Sequence, residues 1–260
     1  MQFDYPSYLS SFSQQLQQKL SQVSKLYLEL SGNIIDQSNV TKIFPSFAPD
    51  TYKKVFAPYK YDMEILFCIK AQDIIDDLPM GEDQKPFRDF IWTYLKKIEN
   101  QFGVRPHIVI NLIDIENMYD IIFAFETYFQ KLWYRVWEKY KIKSYTHDMK
   151  YLLSEDGFGN DDHIPVTKKL ILIAGLAPEC GKLNTAVAQI YLDQEIEIEA
   201  DYAKVEFLQN YQQEDEESEI EEPQRSIEKF TFIQDAYKLL KKTIPQHIEE
   251  IQIGIIQEEK

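Results

Sequence analysis

The sequence predicts an α/β fold in which a mostly parallel sheet is flanked by helices, a three-layer sandwich of the P-loop-like kind. Four short segments are predominantly apolar along their length, which is typical of strands covered on both faces. These strands are predicted at 25–30, 63–70, 107–113 and 169–174. Segments with helical spacing alternate with them, as in a parallel α/β sheet.

The first element is predicted to be an amphipathic helix over 7–24, because apolar residues recur there every three or four positions. Further helices are predicted at 84–101, 117–133 and 181–193. The last of these follows the strand at 169–174 directly. Ligands of such sheets bind at the carboxyl ends of strands, so the turn between these two elements is the candidate site.

The composition divides the chain into three parts. Residues 1–207 are predicted to form the α/β domain. Residues 208–228 are predicted to be an acidic linker, because residues 214–222 contain seven carboxylates and like charges repel one another. Residues 229–260 are predicted to form a C-terminal helix and tail, since the spacing from Phe230 to Leu240 is helical.

The turn at the candidate site has the layout of a phosphate loop, a strand followed by Gly-Lys and a helix. Leu176 stands where such a loop has its first glycine, and Leu183 stands where it has the Ser or Thr that holds Mg²⁺. Gly181, Lys182 and Thr185 remain as a vestigial phosphate-binding set. We interpret the turn as a phosphate site that has lost its chemistry.

Five further segments occur in a distinctive order and spacing, namely Lys25–Gly32, Phe44–Phe47, Ser154–Asn160, Ala177–Thr185 and Ala203–Phe207. Their order resembles that of the N-terminal half of uncharacterised protein family 0371. The resemblance implies a glycine-rich loop of the Pro-Gly-Pro-Gly-Ser-Gly-Lys-Leu type, in which this chain departs at Ala177, Glu179 and Cys180. Glu179 is expected to place a carboxylate among amides that would otherwise bind an anion. Members of that family continue beyond the length of this chain.

Other polar residues leave alternatives open. Glu155 and Asp156 precede a glycine-containing loop and are either solvated turn residues or loop carboxylates that hold Mg²⁺ or transfer protons. Cys180 lies beside Lys182 before a helix, where a thiol pKa falls, so a redox or nucleophilic role is the alternative to an inert thiol. The four histidines lack metal-ligand spacing, so neither a metal nor a cofactor is expected.

The segment 118–137 contains more aromatic surface than one core-facing stripe requires. Four residues are expected to face the sheet, namely Ile121, Phe125, Tyr128 and Leu132. Phe123, Tyr134 and Trp137 are then expected to lie off that face. They are either core residues or anchors for a protein partner, because Tyr and Trp are favoured at interfaces.

The net charge of −15 opposes binding to nucleic acid, and no apolar run is long enough for membrane insertion. No signal or transit peptide is recognisable at the N-terminus, so a cytoplasmic location is expected. The leading hypothesis is a non-catalytic structural or protein-binding subunit of a multi-subunit assembly. The alternatives are a nucleotide- or phosphate-binding enzyme or sensor that uses Gly181 and Lys182, with metal or base from Glu155, Asp156 or Asp114, and a pseudo-enzyme that pairs with a catalytic relative.

Overall fold

Six parallel strands form one sheet in the order β4-β3-β2-β5-β1-β6. The computed structural model describes residues 4–37, 40–41, 46–142, 148–177 and 179–205. The strands are β1 Lys25–Leu30, β2 Met63–Lys70, β3 His107–Ile113, β4 Val136–Tyr140, β5 Leu170–Gly175 and β6 Ala200–Val205. The predicted linker 208–228 and the predicted helix and tail 229–260 lie outside the described residues.

Seven α-helices are found in the described residues. They are α1 Tyr5–Gln22, α2 Thr51–Phe56, α3 Ala71–Asp76, α4 Phe87–Phe102, α5 Ile115–Lys131, α6 Met149–Leu152 and α7 Lys182–Glu195. Short 3₁₀ turns cover Ala57–Tyr59 and Phe158–Asn160. All four predicted helices and all four predicted strands are present, with ends shifted by at most three residues.

The helices cover both faces of the sheet, so the predicted three-layer α/β fold is confirmed. Helices α1 to α5 pack on one face over a large apolar core, in which Phe12 of α1 and Phe129 of α5 are fully buried. Helices α6 and α7 cover the other face together with the turn that contains Phe158. The two cores share the sheet, because alternate residues of a strand point to opposite faces.

Local sequence explains how the first helix forms. Asp4 caps α1, since its carboxylate accepts the Ser7 backbone N–H at 3.1 Å. Phe12 and Leu16 of this helix are fully buried against the sheet at i, i+4 spacing. Burial of one such side chain contributes roughly 1.5–3 kcal/mol to folding, so the apolar stripe stabilises α1 more than its cap does.

Helix α7 is fastened at its C-terminal end by a buried carboxylate. Asp193 accepts hydrogen bonds from Lys25 Nζ at 3.0 and 3.1 Å and from the Tyr27 hydroxyl at 2.8 Å. His163 Nε2 lies 3.0 Å from the same carboxylate. Asp193 is fully buried. Removal of one partner from a buried ion pair is strongly destabilising, because the other charge is left unpaired. The cluster fixes α7 against β1.

Candidate functional site

The turn between β5 and α7 lies where the sheet topology reverses. The chain passes from β2 to β3 and β4 through helices on one face, whereas it returns from β5 to β6 through α7 on the other face. Strands β2 and β5 are neighbours, so the helices that follow them diverge to opposite faces at their carboxyl ends. This is the position at which open α/β sheets bind ligands. The turn over 175–182 therefore occupies the ligand position predicted from the sequence.

A thiol fills the start of this turn. The sulfur of Cys180 packs directly against Gly175, where a Cβ would collide with it. The backbone oxygen of Cys68 lies 2.9 Å from the same Cβ position. Gly175 is thus required by the close approach of Cys180, which itself is 2% exposed. The side chain of Cys180 therefore fills the space beside Gly175 at the start of the turn.

Position 181 requires glycine for two reasons, its backbone conformation and the close approach of Asn111. Gly181 precedes α7 with φ +85°, in the left-handed region that favours glycine. A Cβ at this position would lie 2.6–2.9 Å from side-chain atoms of Asn111. Asn111 stands at a register shift near the end of β3, next to Leu112 at φ 63°. Such a bulge re-aims side chains, and here it accompanies a contact between Asn111 and the start of α7.

Thr185 belongs to a buried hydrogen-bond chain. The Cys68 thiol donates to Thr185 Oγ1 at 3.4 Å, and the Thr185 hydroxyl donates to Asn111 Oδ1 at 3.0 Å. Asn111 Nδ2 in turn donates to the backbone oxygen of Cys180 at 3.0 Å. The chain joins β2, α7, β3 and the turn. It satisfies the hydroxyl that would otherwise be available to a phosphate or to Mg²⁺.

Lys182 is bound by its own turn. Its ammonium donates to the backbone oxygen of Ala177 at 3.1 Å and lies 3.9 Å from Cys180 Sγ. The residue is 6% exposed, and no carboxylate pairs with it among the residues that the structure describes. Glu179 is exposed, so the filling of the turn comes from Cys180 and Lys182 instead of the expected carboxylate.

Burial makes both thiols unreactive in this environment. Burial above all, together with the neighbouring Cys180 thiol, raises the pKa of Cys68 to about 12. Burial also raises the pKa of Cys180, although the charge of Lys182 opposes the shift. The thiolate is the nucleophilic form of cysteine, so a raised pKa lowers reactivity. The redox or nucleophilic role considered for Cys180 is therefore not supported.

Glu155 and Asp156 lie away from the turn. Both are exposed, and the 3₁₀ turn that follows them packs through Phe158 against Tyr191, with ring centroids 6.3 Å apart. Tyr191 is nine residues along α7 from Lys182, which corresponds to about 14 Å at 1.5 Å per residue. The structure thus brings Gly181, Lys182 and Thr185 together but does not bring the two carboxylates to them. Asp114 stands at the N-terminus of α5 and is half-buried.

The aromatic residues singled out from the sequence do not share one surface. Phe123 is 55% exposed, whereas Tyr134 is 3% exposed and packs in the core beside Phe129. Trp137 is half-buried on β4 and donates its indole N–H to His107 Nδ1 at 3.1 Å. Of the two alternatives for Tyr134, the structure supports the core residue, because α5 ends at Lys131 and the chain turns back toward the sheet. Tyr119 is 58% exposed, and the expectation that Ile121 faces the sheet was wrong, because Ile121 is 47% exposed.

Sequence reasoning missed two buried polar residues near the turn. Asn111 is fully buried, and Glu29 is 6% exposed and accepts a hydrogen bond from the Tyr202 hydroxyl at 2.9 Å. Both interrupt otherwise apolar strands, close to the carboxyl end of each. That interruption was the available signal, because a polar residue in a buried strand needs a partner.

The described residues contain no cluster of three or more His, Cys, Asp or Glu side chains suited to a metal ion. None of their helices is both long and apolar enough to cross a bilayer.

Comparison with protein families gives one match, over residues 1–212, to the model described as Domain of unknown function DUF1846, N-terminal. The chain belongs to this family. The match covers every described element of the DUF1846 fold, including the turn around Lys182.

Curated relatives carry the name UPF0371 protein, so the resemblance to uncharacterised protein family 0371 is confirmed. One from Corynebacterium glutamicum (strain R) is 26% identical over 205 residues, and one from Streptococcus pyogenes serotype M28 is 29% identical over 210 residues. A third, from Corynebacterium diphtheriae, is 27% identical over 205 residues. Each match covers 78% of this chain and 41% of the relative. The aligned DUF1846 region thus spans about two-fifths of the length of these relatives.

Proposed function

We propose that this DUF1846 domain is a non-catalytic, protein-binding part of a larger assembly, built on a phosphate-binding fold whose loop is now closed. The supporting observation is the internal pairing of the turn. The Lys182 ammonium binds the Ala177 carbonyl, and the Thr185 hydroxyl binds Asn111. Neither group is available to a ligand without breaking a contact within the domain.

Binding of an anion in the turn would require the loss of contacts within the domain. The sulfur of Cys180 occupies the space beside Gly175, so the backbone would have to move before an oxygen atom could approach. Freeing Thr185 would leave the side-chain oxygen of Asn111 buried and unpaired. An unpaired buried polar group costs about 1–3 kcal/mol. This arrangement supports a structural role for the turn.

A pair of exposed aromatic residues on α5 supports protein binding. Tyr119 and Phe123 are 58% and 55% exposed, and their rings stack with centroids 6.0 Å apart and an interplanar angle of 14°. The opposite side of the helix is anchored in the core by Ile122, Phe125 and Phe129. Rigid aromatic side chains on a fixed helix are favourable anchors, because little side-chain entropy is lost on binding. We propose Tyr119 and Phe123 as the partner-docking pair.

We propose that the protein is cytoplasmic and that its partners are proteins. A net charge of −15 opposes binding to the phosphates of nucleic acid. We therefore expect a protein partner, and we expect no cofactor or metal to be required for its binding.

Thermal unfolding in the presence of candidate ligands tests the closed loop. We expect millimolar Mg²⁺-ATP, Mg²⁺-GTP and inorganic phosphate to leave the melting temperature of the full chain unchanged. A ligand at a hundred times its dissociation constant would stabilise the domain by about 2.7 kcal/mol, which is readily measured. A shift in the wild type that disappears in Lys182→Met would overturn the proposal.

Partner co-purification tests the docking pair. The double variant Tyr119→Ser, Phe123→Ser should lose its partner while keeping the melting temperature, because both side chains are largely exposed. Ile196→Ser is the matched control, since Ile196 is 53% exposed but lies beyond the end of α7. Retention of the partner by the double variant would exclude this surface.

Binding of a nucleotide or another phosphate compound is the second candidate function. It is favoured by the Lys182 ammonium, which is buried at the N-terminus of α7 and has no paired carboxylate in the described residues. A helix N-terminus favours a nearby anion. In this function the ligand would replace the Ala177 carbonyl as the partner of Lys182. The thermal experiment distinguishes the two functions directly.

A further inference from the structure

A concave surface lies at the edge of the sheet opposite the turn. It is an open groove of about 640 Å³ at the amino ends of β2 and β3 and beside the segment that leads into β5. Four cationic residues and two aromatic residues contribute to its walls. We call it the basic groove and define it by Lys60, Arg105, Arg135, Lys168, Tyr61 and Trp133.

The cations of the basic groove are largely uncompensated. Lys60, Arg135 and Lys168 pair with no carboxylate in the described part of the chain, although the protein as a whole has a net charge of −15. Arg105 pairs with Glu99, with Nε and Oε1 3.0 Å apart. A positive surface on such an acidic protein attracts anionic segments over about a Debye length.

The one carboxylate that lines the groove is already engaged. Glu64 Oε1 accepts hydrogen bonds from the Thr167 N–H at 2.8 Å, the Thr167 hydroxyl at 3.1 Å and the Lys168 N–H at 3.1 Å. Its other oxygen lies 3.3 Å from His107 Nε2. These contacts hold Glu64 in the floor of the groove, so it does not form ion pairs with the lining cations.

The two aromatic residues are held at the surface. Trp133 is 82% exposed with φ 65°, and Arg105 Nη1 donates to its backbone oxygen at 3.2 Å. The left-handed region costs a residue with a Cβ about 1–2 kcal/mol. Tyr61 is 84% exposed, with Lys60 Nζ 5.6 Å from its ring centroid. The groove therefore presents apolar surface beside its positive charges.

We propose that the basic groove binds the acidic segment 214–222 of the same chain. This segment carries seven carboxylates and one apolar residue, Ile220, which suits the exposed rings. The segment thus matches the groove in both charge and apolar content.

The chain is long enough for this contact. Strand β6 ends at Val205, three strands from β2, which corresponds to about 14 Å across the sheet and about 20 Å along it. Residues 206–222 can extend over about 55 Å. A tether of this length gives an effective concentration in the millimolar range, so weak ion pairs suffice.

Zero-length cross-linking of the full chain tests the proposal. A carbodiimide joins carboxylates to amines that are in contact, and peptide mapping identifies the joined residues. We expect links from residues 214–222 to Lys60 and Lys168 in the monomer, and we expect them to disappear in 1 M NaCl, where screening acts over about 3 Å. Lys53 and Lys97 are exposed control amines on α2 and α4.

The outcomes separate the possible occupants. An equal mixture of ¹⁵N-labelled and unlabelled chains should give links only within one isotope class. Links between classes would show that the segment of a second copy binds the groove, and equal labelling of Lys53 and Lys97 or no links at all would show that the segment does not dock there. Each of these results overturns the proposal.

A charge reversal provides an independent check. Arg135 is exposed and is not itself cross-linked, so Arg135→Glu should reduce the links to Lys60 and Lys168 at least about fivefold while preserving the melting temperature. Lys97→Glu is the matched control and should leave these links unchanged. Undiminished links in Arg135→Glu would mean that the charge of the groove does not recruit the segment.

Discussion

The hydroxyl of Thr185 donates a 3.0 Å hydrogen bond to the side-chain oxygen of Asn111, 74 residues earlier in the chain. Both residues are fully buried. Thr185→Val keeps the shape of the side chain but leaves this oxygen unpaired, so we expect the free energy of unfolding to fall by about 1–3 kcal/mol. Chemical denaturation measures the change. Thr185→Ser keeps the hydroxyl and should lose less, and equal losses in the two variants would contradict the role of the bond.

Gly181 should tolerate alanine poorly. Its φ of +85° and the approach of Asn111 to within 2.6–2.9 Å of an added Cβ act together. Gly32 is the matched control, with φ +68° and no atom within 4 Å of an added Cβ. We expect Gly32→Ala to cost about 1–2 kcal/mol and Gly181→Ala to cost about 1–3 kcal/mol more, because the second substitution adds overpacking to backbone strain. If the two substitutions lower the denaturation midpoint by the same amount, Asn111 moves away from the added Cβ without cost.

Glu64 should make stability depend on acidic pH. Burial raises the pKa of this carboxyl, but hydrogen bonds from His107 and Thr167 outweigh it and lower the pKa to about 2, below its ordinary value of 4.5. The stabilisation is therefore fully present above pH 4.5 and is lost as the pH falls toward 2. We expect Glu64→Gln to destabilise the protein by about 2 kcal/mol at pH 7, a value discounted for solvent screening, and by much less at pH 3.

Denaturation of both proteins across this pH range measures that difference. Glu155→Gln removes an exposed carboxylate and controls for the loss of one negative charge. A Glu64→Gln deficit of the same size at pH 3 and pH 7 would mean that the charge of Glu64 contributes nothing.

The two cysteines should resist labelling in the folded protein. Cys68 is fully buried and Cys180 is 2% exposed, and burial raises the pKa of both thiols. A thiol reagent at pH 8 should react at least about 100-fold more slowly than with a free thiol, and unfolding should restore the ordinary rate. Cys68→Ser leaves Cys180 as the single reporter. Fast labelling of that variant in its native state would show that the turn opens.

The central strands could be predicted from the sequence because burial on both faces makes them apolar along their length. Strands β4 and β6 were missed for different reasons. β4 is a short edge strand with the mixed sequence Val-Trp-Glu-Lys-Tyr. β6 contains Asp201, which is buried and pairs with Lys19 of α1 at 3.1 Å. A charge that is neutralised by a distant partner looks like a surface residue in the sequence.

The position of the site was predictable, but its internal contacts were not. The spacing of strand, turn and Gly181-Lys182 placed the turn at the carboxyl ends of the strands, where the structure has it. The side chains of Lys182 and Thr185 are oriented by their hydrogen bonds to Ala177 and Asn111. Asn111 reaches them from another strand, so only tertiary structure reveals the pairing.

Helix α7 is anchored at both of its ends, by Asn111 through Thr185 at the first turn and by Lys25 and Tyr27 through Asp193 at the last. A one-turn slide along its axis, a movement of about 5.4 Å, would break both anchors at once. The amides of α7 should then exchange with solvent only when the whole domain unfolds. The two anchors together therefore hold this face of the domain at a constant shape.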